Sequence, residues 1–333
     1  MMVLLYSSDY YPVYKKDIFA VTSLPEGYCY HFRYQPKYVS QKIKDGESLT
    51  NCMAIIIFVH GNAKGNTNSN LTYVPVRLAR IVKVHQDPQT DLYHVYFSLD
   101  SFIEVSDDIS KFDETPPNIF FGTQVIQPRF NRTLWKEAVK KLNAYSNSFF
   151  FHIKVLKNLK EIRPLYEPDT YESSFELTEG KHYSLRISIS DDNTNKDENE
   201  IVTKIEGADI KSNIGETIDS GLSLDGRSFR LSGLILGDLS SKVNLIKIST
   251  RSTLQAKTKD DYSVRLLFDV KKDPDRHLSY LWFSALILLG GGLITVDLTK
   301  VGLTEVQTIV AKLVGLPIGA VAAATLFYRF NKK

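Results

Sequence analysis

The chain has 333 residues, 43% hydrophobic and 24% charged, with a net charge of +3. That balance excludes a disordered chain and leaves room for about two ordinary domains plus extra segments. Two cysteines, Cys29 and Cys52, are too few for a disulfide framework and point to a reducing compartment.

Charge is spread unevenly. Residues 1–163 carry 20 basic and 15 acidic residues, residues 164–270 carry 13 and 19, and residues 271–333 carry 8 and 4. Such asymmetry suggests segments with different partners. The N-terminus, MMVLLYSSDYYPVYKK, does not read as a signal peptide: its apolar run stops at Tyr6 and the basic residues follow it.

Residues 1–128 read mostly as strands. Tyr28, Tyr30, Phe32 and Tyr34 alternate with Cys29, His31, Arg33 and Gln35 at a period of two. MAIIIFV (53–59) is a buried-strand pattern, and the runs 74–85 and 92–99 flank QDPQTD, a hairpin turn. Residues 132–146, RTLWKEAVKKLNAYS, have helical spacing, with Trp135, Ala138, Val139, Leu142 and Tyr145 on one face and Arg132, Lys136 and Lys140 on another. FFFHIKV (149–155) fits a strand or a short helix. Pro164 and Pro168 mark a domain boundary, and 170–270 reads as short alternating strands, the pattern of an immunoglobulin-like sandwich.

Chemistry-bearing motifs are sparse. IIIFVHGN (55–62) is similar to the strand and HG turn of α/β-hydrolases, but no G-x-S-x-G follows. No phosphate-binding glycine motif is present. Cys29, His31, Cys52 and His60 match no zinc spacing. The expectation is a non-enzyme without metal or cofactor. The row Tyr28, Tyr30, Phe32 and Tyr34 is either a core face or, with Arg33, a platform on which bases stack. Residues 129–163 hold nine basic residues against Glu137 and Glu161. Through Arg132, Lys136 and Lys140 they form either a solvated face or a site for an anionic ligand, an oligonucleotide or nucleotide.

The C-terminal sixty residues read as two membrane spans, about 278–296 and 306–328. The first carries no charge between Leu278 and Val296; the second carries only Lys312. Runs of about 20 apolar residues match a roughly 30 Å hydrocarbon core. Gly290, Gly291 and Gly292 read as packing or hinge positions. Thr304, Thr308, Lys312, Gly315 and Gly319 share one helical stripe, a helix–helix seam or a pore wall. Basic residues before the first span and after the second predict both termini on the cytoplasmic side of the inner membrane.

The domain expectation is therefore a β-rich N-terminal domain with one or two helices (1–163), a β-sandwich (164–270) and a two-helix transmembrane hairpin (271–333). In architecture alone this resembles the two-helix membrane effectors of bacterial anti-phage defence. The resemblance implies a homo-oligomeric sensor that forms or gates a pore under control of an oligonucleotide-type ligand. The alternative is a membrane-tethered scaffold for a partner protein.

Overall fold

The computed structural model describes residues 2–45, 48–61, 71–106, 121–124, 129–146, 148–154, 160–167, 170–178, 182–190, 199–206, 210–212, 217–219, 228–233, 243–252, 261–271, 282–289, 304–315, 317 and 321. They fall into two compact units, Met1–Lys271 and Lys272–Lys333. The first unit begins β1 (Met2–Ser8), α1 (Pro12–Ser23), β2 (Cys29–Tyr34), α2 (Gln41–Lys44), β3 (Met53–His60), β4 (Thr72–Gln86), β5 (Tyr93–Val105), β6 (Phe121–Gln124), β7 (Phe130–Arg132), α3 (Trp135–Asn143) and β8 (Phe151–Lys154). It continues with β9 (Lys160–Glu167), β10 (Thr170–Thr178), β11 (His182–Ile189), β12 (Asn199–Glu206), β13 (Ile210–Ser212), β14 (Thr217–Asp219), β15 (Ser228–Gly233), β16 (Val243–Ser252) and β17 (Ser263–Lys271).

The first sheet has the order β2-β5-β4-β3-β1-β6, with β7 on the distal part of β5. β1 and β3 run parallel from Met2↔Met53 to Ser8↔Val59; the other pairs are antiparallel. β1 is buried along its whole length, with Val3 and Leu5 in one apolar cluster and Met2, Leu4 and Tyr6 in another. Burial on both faces explains why MVLLY is a continuous apolar run and not an alternating one. The turn into β5 is held by Asp87, whose carboxylate accepts from the Gln89 N–H at 2.9 Å and the Thr90 hydroxyl at 2.5 Å.

α1 departs from the strand-rich expectation for residues 1–128. Pro12 sits in its first turn, where the fixed φ and missing N–H cost nothing. Ile18, Phe19, Ala20 and Val21 are buried. The sheet closes over this helix: the Tyr34 hydroxyl at the end of β2 donates to the carbonyl of Tyr6 at 3.1 Å, although three strands separate β2 from β1 in the sheet order. Register shifts at Ile56/Ile57, Arg77/Ala79 and Ile81/Lys83 bend β3 and β4 for this closure.

Two further sheets follow, β14-β12-β16-β17-β10-β9 and β13-β15-β11-β8. β10 and β17 pair parallel; the remaining pairs are antiparallel. β8 pairs with β11 and β9 crosses position 163/164, so residues on the N-terminal side of that point already belong to these sheets. One core joins them to α1. Phe19 meets Phe150 at 4.9 Å and Tyr262 at 5.2 Å. The Tyr262 hydroxyl lies 2.7 Å from Ser23 Oγ, and Phe175, Ile187, Leu266 and Phe268 belong to the same cluster.

The expected transmembrane hairpin is corrected by the structure. In the second unit the described helical stretches are 282–289 and 305–315, with 317 and 321 also helical. Among the described residues no helix is long and apolar enough to cross a membrane. At about 1.5 Å per residue the two stretches span roughly 12 Å and 17 Å, short of a core of about 30 Å. The composition supplies a reason: glycine costs about 1 kcal/mol and proline about 3 kcal/mol within a helix, and the apolar runs contain three successive glycines and Pro317. The mainly β character with few helices holds.

Candidate ligand pocket and flanking surfaces

A cavity opens where the end of β1, the first two turns of α1 and the end of β2 meet. It is lined by Tyr6, Ser7, Tyr14, Asp17, Phe32, Arg33, Tyr34, Gln35 and Tyr38, and encloses about 300 Å³ with its mouth included. Asp17 is its chemical centre. The Tyr30 hydroxyl donates to Asp17 Oδ1 at 2.8 Å. Burial raises the Asp17 carboxyl to about 6, against the lowering effects of Tyr30 and Arg33. Desolvation thus outweighs both partners, a mark of a carboxylate short of compensating charge. Burial also drives the Tyr30 and Tyr34 phenols well above their ordinary value.

Three of the residues singled out from sequence, Phe32, Arg33 and Tyr34, line this cavity; Tyr28 and Tyr30 do not. The aromatic rings are held by protein. Tyr28 packs on Phe175 at 5.9 Å and its hydroxyl donates to the Arg265 carbonyl; Phe32 meets Phe97 edge-on at 5.0 Å; Tyr30 meets Phe97 at 6.2 Å. Arg33 is exposed on the other face of the strand. There His31 stacks on His94 and Tyr96, and burial lowers His31 to about 4.

Sequence reading missed Asp17 and the pair Asp9–His60. Once 12–23 is taken as a helix, Tyr14, Asp17 and Val21 fall on one stripe. A carboxylate in line with a buried valine is the signal that was there. His60 Nδ1 lies 2.6 Å from Asp9 Oδ2, tying together the carboxyl ends of the parallel strands β1 and β3, with the Tyr145 ring 5.0 Å from the imidazole. Among the described residues no group of three or more His, Cys, Asp or Glu is placed to hold a metal ion.

Arg132, Lys136 and Lys140 are exposed along α3 and the end of β7. The opposite face of α3, Trp135, Ala138, Val139 and Leu142, is buried. Lys141 pairs with Glu104 at 2.5 Å. The basic face therefore stands on a firmly packed helix.

In the second unit, Gly290, Gly291, Gly292 and Gly319 lie outside the described residues. Thr304 is exposed, Lys312 is half-buried, and Thr308 and Gly315 are buried. The Thr308 hydroxyl is buried with no hydrogen-bond partner. The apolar positions are the exposed ones: Val306, Ile309, Val310, Leu313 and Val314 are each more than half exposed, as are Trp282, Leu288 and Leu289. Small and polar residues face inward and aliphatic residues outward, the reverse of the order that water imposes.

No protein-family model matches the chain, and no curated protein matches its sequence.

Proposed function

We propose that this protein acts at a lipid surface. In this reading the C-terminal unit immerses its outward aliphatic face in bilayer hydrocarbon, and the first unit is a sensor. Its α3 face meets an anionic ligand, a nucleotide or oligonucleotide phosphate by class. The observation that carries the proposal is the inverted burial of 305–315, with Thr308 and Gly315 inside and Val306, Ile309, Val310, Leu313 and Val314 outside. Transfer of an aliphatic side chain out of water is worth about 1.5–3 kcal/mol, so five such residues in contiguous rows are a large unsatisfied apolar surface. Lipid suits them because it accepts apolar groups from every direction while small residues inside allow close helix approach. Lys271, Lys272 and Arg276, which precede the first apolar run, and Arg329, Lys332 and Lys333, which follow the second, have the charge that anionic headgroups attract.

Flotation with vesicles of phosphatidylethanolamine and phosphatidylglycerol tests the proposal. The protein is expected to float and to stay with the vesicles through washes at high salt and alkaline pH, because hydrocarbon contact is not screened by ions. Ile309→Glu with Leu313→Glu is expected to return it to the aqueous fraction. Release of the wild type by salt alone would refute immersion and leave a surface for a partner protein.

A further inference from the structure

We infer that the cavity at the end of β1 binds a small zwitterion, with its ammonium against Asp17 and its acidic group against Arg33. This site is separate from the α3 face and does not depend on the lipid reading.

Two opposite charges line one cavity, yet among the described residues Asp17 and Arg33 form no ion pair. A guanidinium and a carboxylate free to meet would close on each other in a bidentate pair. Here each keeps its place: Asp17 is fixed by the Tyr30 hydroxyl at 2.8 Å on α1, and Arg33 stands exposed on β2. The gap between them is bridged by a ligand that carries both charges.

The polarity of each end follows from the lining. Asp17 is mostly buried, and desolvation raises its carboxyl to about 6 in spite of Tyr30 and Arg33. An ammonium would supply the compensation those two do not, whereas an anion would add repulsion. The rings of Tyr14, Tyr34 and Tyr38 stand in the wall, and aromatic faces attract a desolvated ammonium. At the rim, Arg33 offers a planar fork of donors that suits a carboxylate or a phosphate. A single carboxylate does not make a metal site. The volume, about 300 Å³ with the mouth, lies at the small end of ligand pockets and suits an amino acid or a compound of that size. The groups that face Asp17 are Tyr30, Arg33 and Tyr34 from β2 and Tyr14 from α1.

Isothermal titration of the full chain with a panel of free amino acids and γ-aminobutyrate tests the inference, with ethylammonium, acetate, inorganic phosphate and adenosine monophosphate as the other arms. At least one zwitterion is expected to bind with a dissociation constant of about 1 mM or tighter, and ethylammonium and acetate at least about tenfold more weakly. Binding is expected to weaken as pH falls through about 6, where Asp17 takes up a proton. Asp17→Asn retains an acceptor for the Tyr30 hydroxyl and is expected to lose binding about tenfold or more with its thermal midpoint kept. Arg33→Gln, at an exposed position, is expected to erase the preference for the zwitterion over ethylammonium. The inference is overturned if no zwitterion binds the wild type, if both variants bind like the wild type, or if phosphate or the nucleotide binds in place of the zwitterions.

Discussion

Arg77 holds the C-terminal end of α1 through Leu24: its Nη1 donates to the Leu24 carbonyl at 2.7 Å, and also to the Val21 carbonyl at 2.7 Å. Its Nε donates to the Asp100 carbonyl, and the guanidinium lies 4.5 Å from the Phe102 ring centre. A buried cation thus sits at the negative end of a helix, where carbonyls are otherwise orphaned. Burial lowers its pKa to about 9, so it remains charged at neutral pH.

Arg77→Met keeps much of the stem and removes every donor. Three buried carbonyls then lose a partner, each at a cost of about 1–3 kcal/mol. Chemical denaturation is expected to show a loss of about 3 kcal/mol or more. A loss below about 1 kcal/mol would mean that the helix end finds other donors.

His152 extends the same junction. It stacks on Trp135 at 5.6 Å, and both Trp135 Nε1 and His152 Nδ1 approach the Thr22 carbonyl. Burial, then Arg77, lowers His152 to about 3, and burial lowers His31 to about 4. The unfolded chain therefore binds more protons at these positions than the native one below about 6.5, and stability is expected to fall as pH drops from 6.5 towards 4. Asp17 acts with the opposite sign: raised to about 6, it favours the native state below about 3.8, a contribution lost as pH rises through about 6. His152→Phe keeps the stack and leaves Thr22 to Trp135. Denaturation midpoints from pH 4 to 7 are expected to be flatter in this variant than in the wild type; identical slopes would remove His152 from the account.

The joint between the first sheet and the sandwich sheets has its own test. Tyr262 lies between Ser23 and Phe151, accepting from the Phe151 N–H at 3.3 Å and stacking on that ring at 5.3 Å. Tyr262→Phe removes one hydroxyl and is expected to cost about 1–3 kcal/mol. Phe19→Ala is expected to cost about 3–5 kcal/mol. Both are expected to shift one cooperative transition for the whole first unit. Two separated transitions would show that the sheets unfold independently.

Much of this fold was legible in local periodicity. The hairpin around QDPQTD became β4 and β5, and the apolar face of 132–146 became the buried face of α3. α1 escaped because it opens on YYPVYKK, with no acidic first turn and no side-chain cap. The ambiguous FFFHIKV became β8 because β11 lies beside it, a long-range fact no window contains. The same holds for Asp9–His60, 51 residues apart. The transmembrane hairpin was read from hydropathy, which counts apolar residues without asking whether glycine and proline let one helix carry them.

The α3 face is tested by charge reversal. Arg132→Glu, Lys136→Glu and Lys140→Glu together are expected to change stability by less than about 0.5 kcal/mol each and to weaken binding of a single-stranded oligonucleotide. The salt slope is expected to drop by about 0.7 for each phosphate that no longer meets a cation. Equal binding by wild type and variant would make the stripe a solvated face.

The most direct measurement of the lipid claim uses Trp282. The chain has two tryptophans; Trp135 is buried at 7% exposure and Trp282 is 63% exposed. In a Trp135→Phe variant all indole emission comes from Trp282. On addition of phosphatidylethanolamine–phosphatidylglycerol vesicles its emission is expected to shift to the blue and to be quenched by lipids brominated on their acyl chains, while iodide in the buffer loses its effect. Emission that stays red and open to iodide at saturating lipid, with no bromolipid quenching, would contradict the account.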